Sequence, residues 1–572
     1  MDGLRTARLG KAIRVLIQPA FVAGFFASAV GLLTTDVSLK GSNDPNIVQS
    51  VAAVRISTFV PLYLFLLVSG FVVVSMHRRW FTDVVIVSTV SMVMLDFWQF
   101  HSPFGLFDDI SKLVNNVLIA HGSSLAPQGW LQWPSLFVLG ETFNVIVMPT
   151  NFLTVFLACY AAILGLMVYA IMMSVVEDSK KAYIGTLAAL GGNISLGQFM
   201  YHPDFLVIPI VLTCVLLFAA SQTRGTGKRS FISFGGPSRL MAVLVGISIV
   251  TWNTVGPVIT AIFVILIFLR GRTLVKSAKV GSSLPLLFMM PLFIWNLFWS
   301  VGFFGNIVGG ISSFLSNFTG GYNHVLHVYS GNAQFAPWAT DTRFIWLVAG
   351  VLLPFAFSLF LMFRGRTSRS TSLSTFVLAV MVAGGLTFLL NGVNSFLVFL
   401  YVPLVGIALL IKLVEGLKWG VVATAVFVFL MVVPAFFAFN PSVQSYSVAP
   451  EEASAGLFIA VHYPLQIIFS SSTYAELGQP QINTISYPST FSTISGSDFS
   501  AVQVLAGVKS YFTQFESSRG ALLEYQSNFL YGYYHLYGTD TGALITNYLQ
   551  ARLGSSDLVF SNEFSTLYYA EL

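Results

Sequence analysis

Apolar stretches of 18 or more residues recur along the first 440 residues of this chain. A helix of about 20 such residues crosses the hydrocarbon layer of a bilayer, roughly 30 Å thick. A soluble core has no use for so many of them. The lipid interior offers no water to main-chain N–H and C=O groups, so segments that cross it as single units must be helical. Only 9% of the 572 residues are charged, against about a quarter in a soluble chain.

Spans are expected near 15–34, 56–76, 84–106, 151–175, 183–200, 204–221, 239–256, 257–270, 283–304, 343–363, 373–390, 394–411 and 419–440. The segments 183–200 and 257–270 fit the length and pattern of a span least well. Alternation assigns every loop a side. With the N-terminus in the cytosol, 21 of the 28 basic residues are cytosolic, among them Arg78, Arg79, Lys180, Lys181, Arg270, Arg272, Arg364, Arg369 and Lys412. Lys and Arg concentrate on the cytosolic side of short loops, so this orientation is the expected one. Thirteen spans leave residues 441–572 outside. The first run, with a basic start and Ala27-Ser28-Ala29, has some features of a signal peptide. Its length favours a retained span.

The net charge of +5 is the sum of two unlike parts. Residues 441–572 carry ten acids and three bases, −7, so the membrane portion carries +12. A basic membrane portion of this kind reads as cytosolic-loop charge and not as a nucleic-acid surface. The two cysteines, Cys159 and Cys214, lie within spans and read as small apolar residues. The chain has no Walker loop, no GxGxxG and no HExxH. His324 and His327 have no evident companion ligands, and Asn317-Phe318-Thr319 is an external sequon.

The acids are distributed unevenly. Five of the 23 are cytosolic by this reading: Asp2, Asp83, Glu177, Asp178 and Glu415. Eight in the membrane portion lie outside or at an outer edge: Asp36, Asp44, Asp96, Asp108, Asp109, Glu141, Asp204 and Asp341. Acids at membrane depth are costly and tend to be functional. The stretch 96–146 is the densest, with Asp96, His101, Asp108 and Asp109 following a span. Leu106, Ile110, Val114 and Leu118 then recur at helical spacing with polar residues between, the pattern of a helix lying along the interface. Trp130 and Trp133 fit an aromatic belt, and Pro134 opens a short apolar helix.

This loop, with Asp108-Asp109, Gly122 and Trp133-Pro134, resembles the first external loop of GT-C glycosyltransferases, in particular archaeal-type members. GQFMYHPDFLVIPIVL at 197–212, Trp252-Asn253-Thr254 between two spans, and the tail segments at 451–455 and 557–572 resemble further parts of the same group. The WWDYG-type signature of oligosaccharyltransferases is absent, and three of the expected spans precede the acidic loop where the usual pattern has one. The resemblance implies a GT-C-like transmembrane domain, 1–440, with external loop 101–150, and an extracytoplasmic domain, 441–572. It implies a polyprenyl-phosphate sugar donor within the membrane lipid, an acceptor the sequence does not name, and no nucleic acid.

Such chemistry needs a carboxylate to take the proton of an acceptor hydroxyl. Asp108 or Asp109 is the expected base, Asp204 beside His202 the expected assisting or metal-holding pair, and Arg343 the expected lipid-phosphate contact. A hard divalent cation, Mg or Mn, prefers oxygen ligands such as Asp204. Asp96, His101 and Asp36 are further candidates at the external edge. Each has a plainer reading. Asp108-Asp109 fits a helix cap, Asp204 after Pro203 fits a helix N-terminus, Arg343 fits a partner for Asp341, and Asp36 fits a solvated loop.

The tail holds 13 of the 21 tyrosines. LQIIFSS and DLVFS read as short strands, 498–515 and 541–553 as helices, which makes a small α/β domain. Two other functions stay open: a secondary transporter or channel, and a membrane scaffold whose tail binds surface proteins. Against transport, span interiors are nearly free of charge and no internal repeat is visible.

Overall fold

The computed structural model describes residues 16, 19–26, 65–74, 80–99, 135, 138, 139, 142, 149–176, 178–194, 206–221, 245, 248, 249, 251, 252, 255–274, 290, 291, 293–295, 347–364, 368–391, 398–414, 458, 462, 468–470, 484–486, 509, 513, 515–517, 522–526, 547, 548, 551, 552, 557–561 and 565–569.

Among the described residues up to 414 the regular structure is helical. The helices are α1 (Trp80–Gln99), α2 (Pro149–Val176), α3 (Ser179–Ile194), α4 (Ile208–Ser221), α5 (Val255–Leu274), α6 (Leu353–Arg364), α7 (Ser368–Asn391) and α8 (Tyr401–Val414). One of them contains a window, Cys159–Val176, long and apolar enough by itself to cross a membrane, and six shorter apolar helices accompany it among the described residues. α2 has 28 residues, about 42 Å at 1.5 Å per residue.

Several helices run beyond the apolar windows expected from sequence. Lys180 and Lys181 stand in the first turn of α3, not in a loop, and Arg270 and Arg272 stand inside α5. Asp178 begins α3. Its carboxylate Oδ1 accepts from the Lys180 N–H at 2.9 Å, and its carbonyl accepts from the Ala182 N–H at 2.9 Å. A helix can continue past its apolar stretch because long basic side chains lay their stems on apolar surface and keep their charge in water. The expected span 394–411 differs in another way. A turn at Leu400 precedes α8, whose Pro403 sits in the first turn, where a missing N–H costs nothing.

A π-helical turn, Leu347–Leu352, leads into α6. Pro354, the second residue of α6, has no N–H to continue an α ladder, and its ring crowds the carbonyl four residues back. The widened turn accommodates both effects.

α8 is the centre of the bundle. Every residue from 401 to 411 is buried, and the helix packs on α2, α3, α6 and α7. Phe263 of α5, Phe376 of α7 and Tyr401 of α8 form a chain of edge-on rings, with centroids 5.3 and 6.4 Å apart. Each such pair contributes about 0.5–1.5 kcal/mol beyond area burial. α1 and α2 run antiparallel, since Asp83 meets Tyr169 and Ser91 meets Gly165. That is the direction alternation requires. A Cβ on Gly165 would strike Ser91, so the absent side chain is what lets these two helices approach.

Buried hydroxyls turn back on their own helices. Thr186 donates to the Ala182 carbonyl at 2.8 Å, Thr260 to Gly256 at 2.8 Å and Ser358 to Pro354 at 2.7 Å. This satisfies them where no water is at hand. The outer surface of the helices is apolar as well. Val68, Phe81, Ile163, Leu269, Phe360 and Leu386 are exposed. A helix that is apolar all round belongs in a large core or in lipid.

The tail contains a five-stranded mixed sheet of β1 (Ile468–Ser470), β2 (Thr484–Ser486), β3 (Leu522–Gln526), β4 (Asp557–Ser561) and β5 (Ser565–Tyr569), in the order β2-β1-β3-β5-β4. β1 and β4 fall in the runs LQIIFSS and DLVFS. β2, β1 and β3 are parallel, and β3, β5 and β4 antiparallel. Leu522 and Leu523 point to opposite faces of β3 and both are buried, so the middle of the sheet is covered on both sides. Phe515 and Leu567 are buried as well. Arg552 Nη2 donates to Glu516 Oε2 at 2.7 Å, and Lys509 lies 5.7 Å from the Tyr548 ring centroid. The Glu516 carboxylate raises the Arg552 pKa, and burial raises that of Tyr568.

Candidate functional site

Asp108, Asp109, His101, His202, Asp204, Arg343 and Asp36 lie outside the described residues. Asp96 lies on α1, three residues before its last residue, Gln99. Asp83 lies in the first turn of the same helix. The 13 residue steps from Asp83 to Asp96 correspond to about 20 Å of helix, so the two acids mark opposite ends. Asp96 therefore stands at the end of α1 that leads into the acidic loop.

Two segments that sequence reasoning singled out separately do meet. Ser135 follows Pro134, where a short helix was expected to close the acidic loop. Thr251 precedes Trp252 at the break between two expected spans. The Ser135 hydroxyl donates to Thr251 Oγ1 at 2.5 Å, across 116 residues of sequence. Thr251 in turn donates its single hydroxyl proton to the Ser248 carbonyl at 2.9 Å. Its oxygen is thereby left to accept, which fixes the direction of the pair. Thr142 donates to the Val138 carbonyl at 2.6 Å, four residues back, as expected in a helix. Leu139 and Trp252 both pack against the hydrophobic core of the bundle, while Val138 is exposed. One face of the loop helix is thus seated on the bundle and another is left open.

At the opposite end of α1 lies a pair that the sequence did not announce. The Tyr169 hydroxyl of α2 donates to Asp83 Oδ2 at 3.0 Å, and Asp83 is 6% exposed. Asp83 Oδ1 has no hydrogen-bond partner among the described residues. The helix N-terminus nearby favours the negative charge. The available signal was an acid placed inside an apolar run, WFTDVVIV, which alternation assigned to a loop. Close by, the Tyr183 hydroxyl donates to the Leu67 carbonyl at 3.3 Å and ties α3 to the helical stretch Phe65–Val74.

No three His, Cys, Asp or Glu side chains come together to hold a metal ion among the described residues. The fit of a divalent cation therefore rests on Asp204 and His202, which lie outside them.

No family model matches the chain, and none of the curated proteins does. Among solved structures, it is similar to the oligosaccharyltransferase AglB of Archaeoglobus fulgidus, in complex with an inhibitory peptide and a dolichol-phosphate. The identity is 13%, over 82% of this chain and 72% of that one, with a TM-score of 0.49. It is also similar to ArnT of Cupriavidus metallidurans bound to undecaprenyl phosphate, at 13% identity over 86% of this chain and 98% of that one, with a TM-score of 0.47. An Archaeoglobus fulgidus oligosaccharyltransferase in complex with Zn and sulfate gives 13% identity, over 85% of this chain and 72% of that one, with a TM-score of 0.45.

Proposed function

We propose that this chain is a polytopic membrane glycosyltransferase of the GT-C kind, acting at the outer face of the membrane. The observation that carries this reading is the Ser135–Thr251 hydrogen bond. It joins Ser135, next to Trp133-Pro134, to Thr251, next to Trp252-Asn253-Thr254, two segments the sequence resemblance named independently. A chain segment fixed on the bundle at Ser135 and Leu139, next to the expected acidic loop, is what an outer-face transfer site needs.

In the reaction, an acceptor hydroxyl oxygen attacks the anomeric carbon of a polyprenyl-phosphate-linked sugar. The bond from that carbon to the phosphate oxygen breaks, and polyprenyl phosphate leaves with the electron pair. The hydroxyl proton passes to Asp108 or Asp109 as general base. Arg343 pairs with the departing phosphate. Asp204 and His202 assist, and a divalent cation would find its oxygen ligand in Asp204. Asp96, at the end of α1, brings a further acid to the same loop.

The test uses the full chain in membrane vesicles supplied with a polyprenyl-phosphate carrying a radiolabelled hexose. Transfer of label from the lipid to a vesicle acceptor is measured with and without magnesium. Wild type transfers, and the Asp108→Asn/Asp109→Asn double variant falls by a factor of about 10² or more, the range expected for loss of a general base. Equal transfer by the double variant would remove both aspartates from the reaction. Absence of transfer by every form would remove the reading itself.

A further inference from the structure

We propose that the buried junction of α1, α2, α3 and the helical stretch Phe65–Val74 holds a single monovalent alkali cation, with Asp83 as its anionic ligand. Asp83 is 6% exposed, and only half of its carboxylate is engaged. Oδ2 accepts from the Tyr169 hydroxyl at 3.0 Å, while Oδ1 is buried without a hydrogen-bond partner among the described residues. A carboxylate taken out of water is stable when its charge is paired or binds a metal ion. The N-terminus of α1 supplies the equivalent of about half a positive charge. That leaves most of the carboxylate charge to be balanced at Oδ1, and no ion pair reaches Asp83 among the described residues. An ionisable group within a membrane span points to a function and to a partner for its charge.

The neighbouring polar groups are oxygens. Gly70 has no Cβ, and that space is taken by the Tyr183 hydroxyl of α3 and by Ile86 of α1. Ile86 lies one turn along the same face of α1 as Asp83, so the Tyr183 hydroxyl stands about a turn away from the carboxylate. Tyr183 donates its proton to the Leu67 carbonyl at 3.3 Å, and Tyr169 donates its proton to Asp83. Each phenolic oxygen keeps acceptor capacity. A carboxylate and two phenols are hard ligands, which suit alkali and alkaline-earth ions better than soft metals. Charge then selects the valence. Asp178, the other acid at this end of the bundle, accepts from the Lys180 N–H at 2.9 Å in the first turn of α3. No three His, Cys, Asp or Glu gather among the described residues. One carboxylate balances one positive charge, and a divalent ion would stay half-neutralised.

The experiment uses the full chain in detergent, exchanged into choline chloride. Radioactive sodium is expected to bind saturably, a single ion per chain, displaced by unlabelled sodium chloride and not by choline. A rubidium tracer in its place shows whether the site prefers the larger alkali ion. At ten times its dissociation constant the ion raises the folded-to-unfolded ratio about elevenfold, read as a higher thermal midpoint at constant ionic strength. Asp83→Asn, which still accepts from Tyr169, is expected to abolish binding and the shift. Tyr169→Phe and Tyr183→Phe each remove one oxygen and are expected to weaken binding about tenfold, the loss of one contact to a charged group. Wild type that binds neither ion overturns the site, and Asp83 then draws its counter-charge from within the chain, where Arg78 and Arg79 precede it. Equal binding by Asp83→Asn places the ion elsewhere and overturns it too. If Asp83→Asn does not fold, the two Phe variants decide, and an affinity equal to wild type in both overturns the junction as the site.

Discussion

A buried carboxylate is tolerated when donors surround it, and Asp83 has one, the Tyr169 hydroxyl. Removing that donor leaves both oxygens without a partner among the described residues. Tyr169→Phe is therefore expected to destabilise the protein by about 1–3 kcal/mol, the usual cost of an unsatisfied buried polar group. The measurement is the thermal midpoint of the detergent-solubilised chain. Asp83→Asn should cost less, because an amide oxygen still accepts from Tyr169. A double variant no worse than Tyr169→Phe alone would show that the two act as a unit. Additive losses would mean that the 3.0 Å bond does not couple α1 to α2. Neither residue stood out in the sequence. Asp83 sits beside Arg78 and Arg79 and reads as loop charge, and a tyrosine within a span reads as filler. Their pairing spans 86 residues, a separation that local periodicity does not carry.

At the scale of the element, close approach of α1 and α2 depends on Gly165. Its missing Cβ leaves room for the Ser91 side chain, and Gly165→Ala is expected to cost about 1–3 kcal/mol through overpacking. Ser91→Gly combined with it should restore much of the loss, since it removes the colliding atoms. Gly385 in α7 is the control. A Cβ there meets nothing within 4 Å, so Gly385→Ala should be neutral or slightly stabilising. A midpoint that falls equally for both alanines would remove the packing explanation. The helices themselves were largely legible. The expected 151–175 and 373–390 correspond to Pro149–Val176 and Ser368–Asn391. Their ends were not, because apolar windows stop where the first charged residue appears while the main chain continues its hydrogen bonding. The π turn before Pro354 was also missed. The proline was visible, but the way the chain accommodates it depends on the packing around α6.

For the whole molecule, the distribution of Lys and Arg makes a statement about sidedness that labelling tests directly. In a Cys159→Ser/Cys214→Ala background, Leu558→Cys, exposed in the tail sheet, should react with a membrane-impermeant maleimide on intact cells. Lys228→Cys should react only after permeabilisation. The reverse pattern would invert the orientation, and with it the face to which Asp108, Asp109 and Asp204 are assigned. Two strands of the tail were readable from their apolar runs, but their neighbours were not. The order β2-β1-β3-β5-β4 joins residues far apart in the chain, and nothing in a three-residue strand specifies a partner.

That order also sets a timetable. β4 and β5 are separated by three residues and can pair as soon as both exist. β1 and β2 have only three residues each, and the parallel half gains a central partner when Ile468 meets Leu522. Parallel pairing across so long a loop pays its closure entropy before contacts repay it. Until the chain has been delivered as far as residue 526, the segment from 468 to 486 has no central strand to join. β3 is thus the seam on which a slow parallel half and a fast hairpin are sewn together, and the tail's sheet is complete only after both have found it.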